Sequence, residues 1–246
     1  MTIRRNILKA SVAAVLAAST GMSFAQSDVL KVATDATFPP MQFMDNGKFA
    51  GFDIELVEAA AAKMGKKVEW VNIDFKGLIP GLVSKRFDMA VSAIYITDER
   101  KKVVDFTDSY YAGGLVALVK DGSPIKTLKD LDGKKVSVQV GTKSVGYLTE
   151  HFPKVQRVEV EKNQEMFNLV AIGRADAAVT GKPAAFQYIR TRGGMQVLPE
   201  QITTEEYGMA VRKDLPELTK ALNKALADLK ADGSYQTIVN KWFPSK

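Results

Sequence analysis

The chain has 246 residues, no cysteine, 46% hydrophobic and 25% charged side chains, and a formal net charge of +6. Absence of cysteine excludes a disulfide framework and a thiol nucleophile. One histidine, His151, argues against a zinc site and nearly excludes a Ser-His-Asp catalyst. No run of Lys or Arg forms a nucleic-acid arm, so no nucleic-acid partner, metal or cofactor is expected.

The first 25 residues stand apart. Arg4, Arg5 and Lys9 make a positive start, Ala10 to Ala18 is a short apolar run, and Ser23-Phe24-Ala25 suits a signal peptidase. The apolar run is too short to span a bilayer, so export and removal after Ala25 are expected. Arg4 to Lys9 resembles a twin-arginine signal with Ile7 in place of Phe, and ordinary Sec export is the alternative. Removal leaves 31 basic against 28 acidic residues, a net +3, because the segment holds three of the 34 basic residues and no acidic one.

Leu30 to Thr34 reads as a strand, so Asp35 and Phe38 fall just past its carboxyl end, where open α/β sheets bind ligands. Asp35 also suits a turn, and Phe38 a satellite core. Met41 to Phe52 reads as a hairpin around Asp45-Asn46-Gly47. Asp53 reads as the cap of a helix over 54–64 that Gly65 ends. Lys67 to Ile73 is a second strand, followed by Phe75 and a helix from about Leu78 to Lys85. Phe75 and Phe38 occupy equivalent loop positions and suit either two pocket walls or core plugs. Phe87 to Val91 is a third strand.

Thr97 then caps a short helix with Asp98 and Glu99 in its first turn. Arg100 opposes the macrodipole there. Beside free backbone N–H groups, its fork completes a site for one carboxylate. The other reading is an exposed cation paired with Glu99 or Asp98. Tyr110 to Gly114 suits a first crossing between lobes. Beyond it the βα pattern restarts with strands over 115–120, 135–140, 155–160 and 176–180. Helices begin after Gly141-Thr142, at Asn163 as a cap, and at Pro183. Gly141-Thr142 is either a second anion-facing surface or an ordinary βα turn. Glu205 to Met209 suits the return crossing, and helices follow from about Glu217 to Ala231 and around Tyr235 and Trp242. His151 reads as a surface residue.

Gly51-Phe52-Asp53-Ile54-Glu55-Leu56, Ala-Thr-Asp-x-x-Phe-Pro-Pro (33–40), Asp-Phe-x-Gly-Leu-Ile-Pro-x-Leu (74–82), Ile-Thr-Asp-Glu-Arg-Lys (96–101) and Asp-Phe-Thr-Asp-Ser-Tyr-Tyr (105–111) stand in order along the chain. So do Leu-Asp-Gly-Lys-Lys-Val-Ser-Val-Gln-x-Gly-Thr (131–142) and Lys-Trp-Phe (241–243). Together they resemble the bacterial extracellular solute-binding proteins of family 3, and within them the polar amino-acid binders, glutamine-binding proteins above all. The resemblance implies an α/β fold of two lobes, the type II periplasmic binding protein. Lobe 1 would comprise 26–112 and 208–246, lobe 2 113–207, joined by two hinge crossings. It implies a monomer in the periplasm that delivers a small-molecule carboxylate to an inner-membrane ABC permease. It also implies ligand contact from Asp35, Phe38, Phe75, Ala93, Ile94, Tyr95, Arg100, Gln139, Thr142, Lys143, Thr180 and Lys182, with Arg100 on the carboxylate.

Two positions depart from the family. Gly181 stands where amino-acid binders place an Asp for the α-ammonium, and Lys182 follows it. Asp35, Glu205 or Glu206 could replace that charge, the alignment could shift, or the solute lacks an ammonium and Lys182 or Lys143 meets a second carboxylate. Tyr95 replaces a Thr that usually touches the carboxylate. An enzyme on the same scaffold, such as a cyclohexadienyl dehydratase, is the rival from another class. Its general acid would have to be Glu205 or Glu206 with a raised pKa. A chemotaxis binder would use the same site.

Overall fold

The computed structural model describes residues 28–244, so the expected export signal lies outside the described residues. Val29–Thr34 forms a strand because its apolar residues can be enclosed on both faces, and from Leu30 on they nearly are. It lies parallel between Lys67–Asn72 and Met89–Ala90. The sheet continues through Ala210–Val211 to Asp105–Phe106, both contacts of Ala210–Val211 being antiparallel. A late segment of chain therefore sits inside an early sheet.

The second sheet runs Gln156–Val160, Lys135–Gln139, Ala177–Gly181, Leu115–Lys120, Met195–Gln201. Leu115–Lys120 is antiparallel to both neighbours. Met195–Gln201 has no counterpart among the expected strands. Pro199 lies within it, which disguises it as a loop, and the ladder slips between Val197 and Gln201 around that proline. Tyr111–Ala112 pairs antiparallel with Glu206–Tyr207, so the two crossings form one short ribbon between the lobes.

Other expected boundaries shift for local reasons. The hairpin forms as Gln42–Asp45 and Lys48–Ala50, with Asn46 and Gly47 both at positive φ, as a tight two-residue turn needs. A 3₁₀ turn, Phe75–Gly77, precedes a helix of only Leu78–Val83. Lys135–Gln139, Gln156–Val160 and Ala177–Gly181 lie within a residue of the expected ranges. The helices Pro216–Ala231 and Ser234–Trp242 pack on Phe52–Lys63. Phe52, at the start of that helix, is ringed by Tyr110, Tyr111, Tyr235 and Phe243, with centroids 5.3–6.2 Å away. His151 is exposed and stacks on Tyr147 at 4.4 Å.

Asp53 is not the helix cap. The helix begins at Phe52 after Gly51, and the fully buried Asp53 carboxylate reaches across the sheet end to accept from Ala93 N at 2.8 Å. Ala93 has φ 48°, a left-handed value that costs an L-residue of order 1 kcal/mol. The Asp53 bond holds it there and so shapes the loop from Ser92 to Tyr95. The other Asp53 oxygen faces the Tyr110 hydroxyl, and neither has another partner. Burial pushes this carboxyl up to about 7, against the opposing bond from Ala93 N.

A buried acid with a raised pKa makes the native state the better proton binder between its unfolded and folded pKa values. Stability then falls as pH rises through that window. From pH 5 to neutrality the ceiling on this loss is about 3 kcal/mol. Urea unfolding at pH 5 and pH 8 should show a lower midpoint at pH 8, and Asp53→Asn should flatten the difference. An unchanged pH dependence in the variant would show that Asp53 is not its source.

Candidate functional site

Between the two sheets lies a small cavity lined from both lobes. Its first-lobe wall comes from loops after Val29–Thr34, Lys67–Asn72 and Met89–Ala90, all at carboxyl ends of parallel strands. Its second-lobe wall comes from equivalent places after Lys135–Gln139, Gln156–Val160 and Ala177–Gly181. Asp35, Phe38, Phe75, Ala93, Tyr95, Gln139, Thr142, Lys143 and Thr180, all expected to meet ligand, line it.

One row of buried polar side chains crosses it. Thr180 donates to Asn163 Oδ1 at 3.3 Å, Asn163 to Gln139 Oε1 at 2.8 Å, and Gln139 to Asp35 Oδ2 at 2.7 Å. Asp35 also accepts from Thr37 Oγ1 at 2.9 Å and Phe75 N at 3.2 Å, with Lys162 Nζ 3.6 Å from Oδ1. Burial raises the Asp35 pKa, while Lys162, Thr37, Gln139 and the Phe75 N–H work to lower it. Each member of the row satisfies its neighbour, which is the condition for polar groups to be buried without large cost. Asn163 does this instead of capping its helix. Lys162 takes the cap position with no side-chain bond, and Asn163 turns inward.

Arg100 lies at the rim, in the groove that leads outward past Phe75, Thr142 and Lys143. Thr97 caps its short helix, accepting from Arg100 N at 3.2 Å. The guanidinium donates to the carbonyl of Tyr95 at 2.9 Å and, across the cleft, to that of Gly141 at 3.4 Å. Its carbon lies 5.7 Å from the Phe75 ring centroid. Burial pushes its pKa down to about 10. No carboxylate among the described residues forms an ion pair with it, so the alternative pairing with Asp98 or Glu99 is absent. Asp98 instead faces Lys101 at 3.7 Å.

Two expected contacts lie elsewhere. Ile94 is fully buried in the first-lobe core with Leu78, Phe87 and Val104, because the left-handed bend at Ala93 turns it away from the cavity that Ala93 and Tyr95 line. Lys182 starts the helix Lys182–Arg192 and points to the outer surface, its Nζ 6.0 Å from the Phe186 ring. It cannot meet a second carboxylate in the cavity. Lys143 lines the cavity but its ammonium is bonded to Glu205.

Other wall residues gave weaker signals in the sequence. Asn163 follows a strand end, as Asp35 and Phe75 do. Tyr207 comes in on the return crossing, 3.3 Å from the Tyr95 hydroxyl. Gln42, whose neighbours place it in a hairpin, is fully buried beside Ser92. Near Gly181 the space is taken: a Cβ there would lie 2.6 Å from the Tyr207 hydroxyl and 2.9 Å from Phe38 Cζ.

The family profile of bacterial extracellular solute-binding proteins, family 3, matches residues 30–245. ABC transporter arginine-binding protein 1 of Escherichia coli (strain K12) is 33% identical over 243 residues, which is 96% of this chain and all (100%) of that one. Among solved structures, an ancestral arginine-binding protein bound to glutamine is 43% identical, covering 89% of this chain and 99% of its own, with a TM-score of 0.85. An ancestral amino-acid-binding protein, a precursor of cyclohexadienyl dehydratase, is 42% identical over 88% and 96% of the two chains, with a TM-score of 0.82.

The lobes are drawn together in this structure. Lys76 of the first meets Glu161 of the second at 2.5 Å, and Lys162 meets Asp74 at 2.5 Å. Gly141 makes the approach possible. Its φ is +76°, and a Cβ would stand 2.9 Å from Lys76 Cα on the other lobe. Gly141→Ala should therefore fold but fail to close fully. Calorimetry should show affinity for its solute reduced by about tenfold or more, with the scattering radius of the loaded protein staying near the unloaded value. Wild-type closure in the variant would discount the contact.

Proposed function

We propose that this chain, which belongs to the bacterial extracellular solute-binding proteins of family 3, closes its lobes on a small carboxylate held by Arg100. It is the solute-binding component of an ABC importer, and its solute class is polar amino acids or related small carboxylates. The proposed setting is the periplasm, the proposed state a monomer, and the proposed recipient an inner-membrane permease.

The observation that carries the Arg100 assignment is its electrostatic incompleteness. A half-buried guanidinium bears a partial desolvation cost, and its near partners are two carbonyl dipoles rather than a carboxylate. An incoming carboxylate supplies the missing anion. The N-terminus of Lys143–His151 lies beside it, adding backbone N–H groups and the favourable end of a dipole. Contacts from both lobes to one ligand favour the closed arrangement over the open one.

An enzyme reading needs a carboxyl kept protonated and facing the reacting group. Burial works to raise the Glu205 pKa, but bonds from Lys143 and Thr203 carry it below the ordinary value. Glu205 is held as a carboxylate beside a lysine ammonium, the opposite of a general acid. Glu206 is exposed. The neighbour described as a dehydratase precursor is itself named an amino-acid-binding protein.

Arg100→Ala should leave the far-ultraviolet circular dichroism and the unfolding midpoint nearly unchanged while solute affinity falls roughly 100-fold or more. Each lost charge-assisted bond is worth about 1.5–3 kcal/mol. Arg100→Lys, which keeps the charge but not the fork, should fall between the two. Parent-like affinity in the alanine variant would remove the clamp from the site.

A further inference from the structure

We propose that the solute selected here is a small carboxylic acid carrying no cationic group, with a hydroxyl or primary carboxamide as its second polar end. This rests on the Arg100 reading and narrows it.

The first argument is a charge account of the cavity. A bound ammonium or guanidinium needs an anion, because a desolvated cation without one costs several kcal/mol. Asp35 is the single carboxylate lining the cavity among the described residues. Both its oxygens are already engaged: Oδ1 by Thr37 and the Lys162 ammonium, Oδ2 by Phe75 N and Gln139. Glu205 lines the outer groove rather than the cavity, with Oε1 bonded to Lys143 and Oε2 without a partner. No carboxylate lining the cavity itself remains unengaged, and Arg100 at the rim has no ion-pair partner among the described residues.

Aromatic faces do not supply a substitute. Tyr95 and Tyr207 pack against one another with centroids 4.7 Å apart at a tilt of 53°, and one face of Phe75 is taken by Arg100. Phe38 presents its edge, at Cζ, toward Gly181. An aromatic cage for a cation needs open ring faces, and the edge of a ring is its positive part.

The second argument concerns Gln42. It lines the cavity, is 1% exposed, and its Oε1 has no partner. The amide is oriented by its nitrogen, which donates to the Asp35 carbonyl at 3.3 Å and to Ser92 Oγ at 2.8 Å. A carbonyl only accepts, so the oxygen end is the free one. Ser92 Oγ accepts both from that nitrogen and from Asp35 N at 3.2 Å, which leaves its own proton to donate. A free acceptor and a free donor side by side match a neutral group that both gives and takes one hydrogen bond. A hydroxyl or primary carboxamide does so. An ammonium would leave the Ser92 proton facing another donor.

The test is calorimetry of the parent protein against matched pairs: succinamate with L-asparagine, glutaramate with L-glutamine, and L-malate with L-aspartate, plus L-arginine and glycine betaine. The first two pairs differ by one α-ammonium, and in the third a hydroxyl stands in its place. The acid without it should bind about tenfold tighter or more in at least one pair, and neither L-arginine nor betaine should bind comparably. Gln42→Glu, which adds an anion beside Ser92, should shift the ratio toward the amino acid by about tenfold. If that variant does not fold, the parent panel alone decides. Amino acids binding as tightly as their deaminated partners, with loss in Arg100→Ala, would overturn this inference and leave the carboxylate clamp standing. Binding of neither class would overturn both.

Discussion

The lobe boundary is organised around a half-buried guanidinium that has no ion-pair partner among the described residues. Arg100 sits on a four-residue helix, Asp98–Lys101, too short to be stable alone and fixed by the Thr97 cap. Its charge is poised between one carbonyl of its own lobe and one of the other. Burial has already shifted its pKa to about 10, so the site is prepared for a negative group before one arrives. Preorganisation of this kind puts the desolvation cost into folding and leaves the charge–charge attraction for binding. The proposed clamp stands at a lobe boundary. A ligand there touches both halves and biases the equilibrium between open and closed forms.

The rest of the architecture aims groups at that boundary. Both sheets present the carboxyl ends of parallel strands to it, and the loops after those strands supply much of the cavity lining. Ala210–Val211, returning after the second lobe, locks into the first sheet, so the first lobe is built from two separate stretches while the second sheet comes from one. The two crossings pair with one another as a ribbon, which resists splaying but permits a bend about its ends. Three features act on the closed form: the ion pairs at the mouth, the buried row from Thr180 to Asp35, and the bare backbone of Gly141. The surface pairs contribute little to affinity individually. The buried row is different, because opening the lobes separates Gln139 from Asp35 and exposes both to water.

Selectivity follows from what surrounds the clamp. Relatives with arginine in their names share the scaffold. Here the space before Gly181 holds aromatic edges and a tyrosine hydroxyl. Asp35 is surrounded by donors from both lobes, and Gln42 offers a neutral oxygen. Small changes around a fixed anchor can thus alter which second group the solute must carry, because an unpaired buried charge costs far more than a lost neutral hydrogen bond.

The sequence by itself placed most of the strands and helices, the two crossings and the Thr97 cap, and marked Arg100 as a cation set against a helix dipole. Those features are written in local patterns such as alternation and turn residues. It also indicated that position 181 lacks a carboxylate. Only the tertiary structure decided where Asp53, Asn163, Ile94 and Lys182 point. By local rules Asp53 and Asn163 are helix caps, but each finds a buried partner far along the chain that outweighs a solvent-exposed cap. Ile94 and Lys182 lie beside true wall residues and turn away, since the left-handed bend at Ala93 and the helix phase are set by packing. Gln42 and Tyr207 reach the cavity from a hairpin and a return strand that closure brings together. That proximity arises from chain crossings no nearest-neighbour pattern encodes.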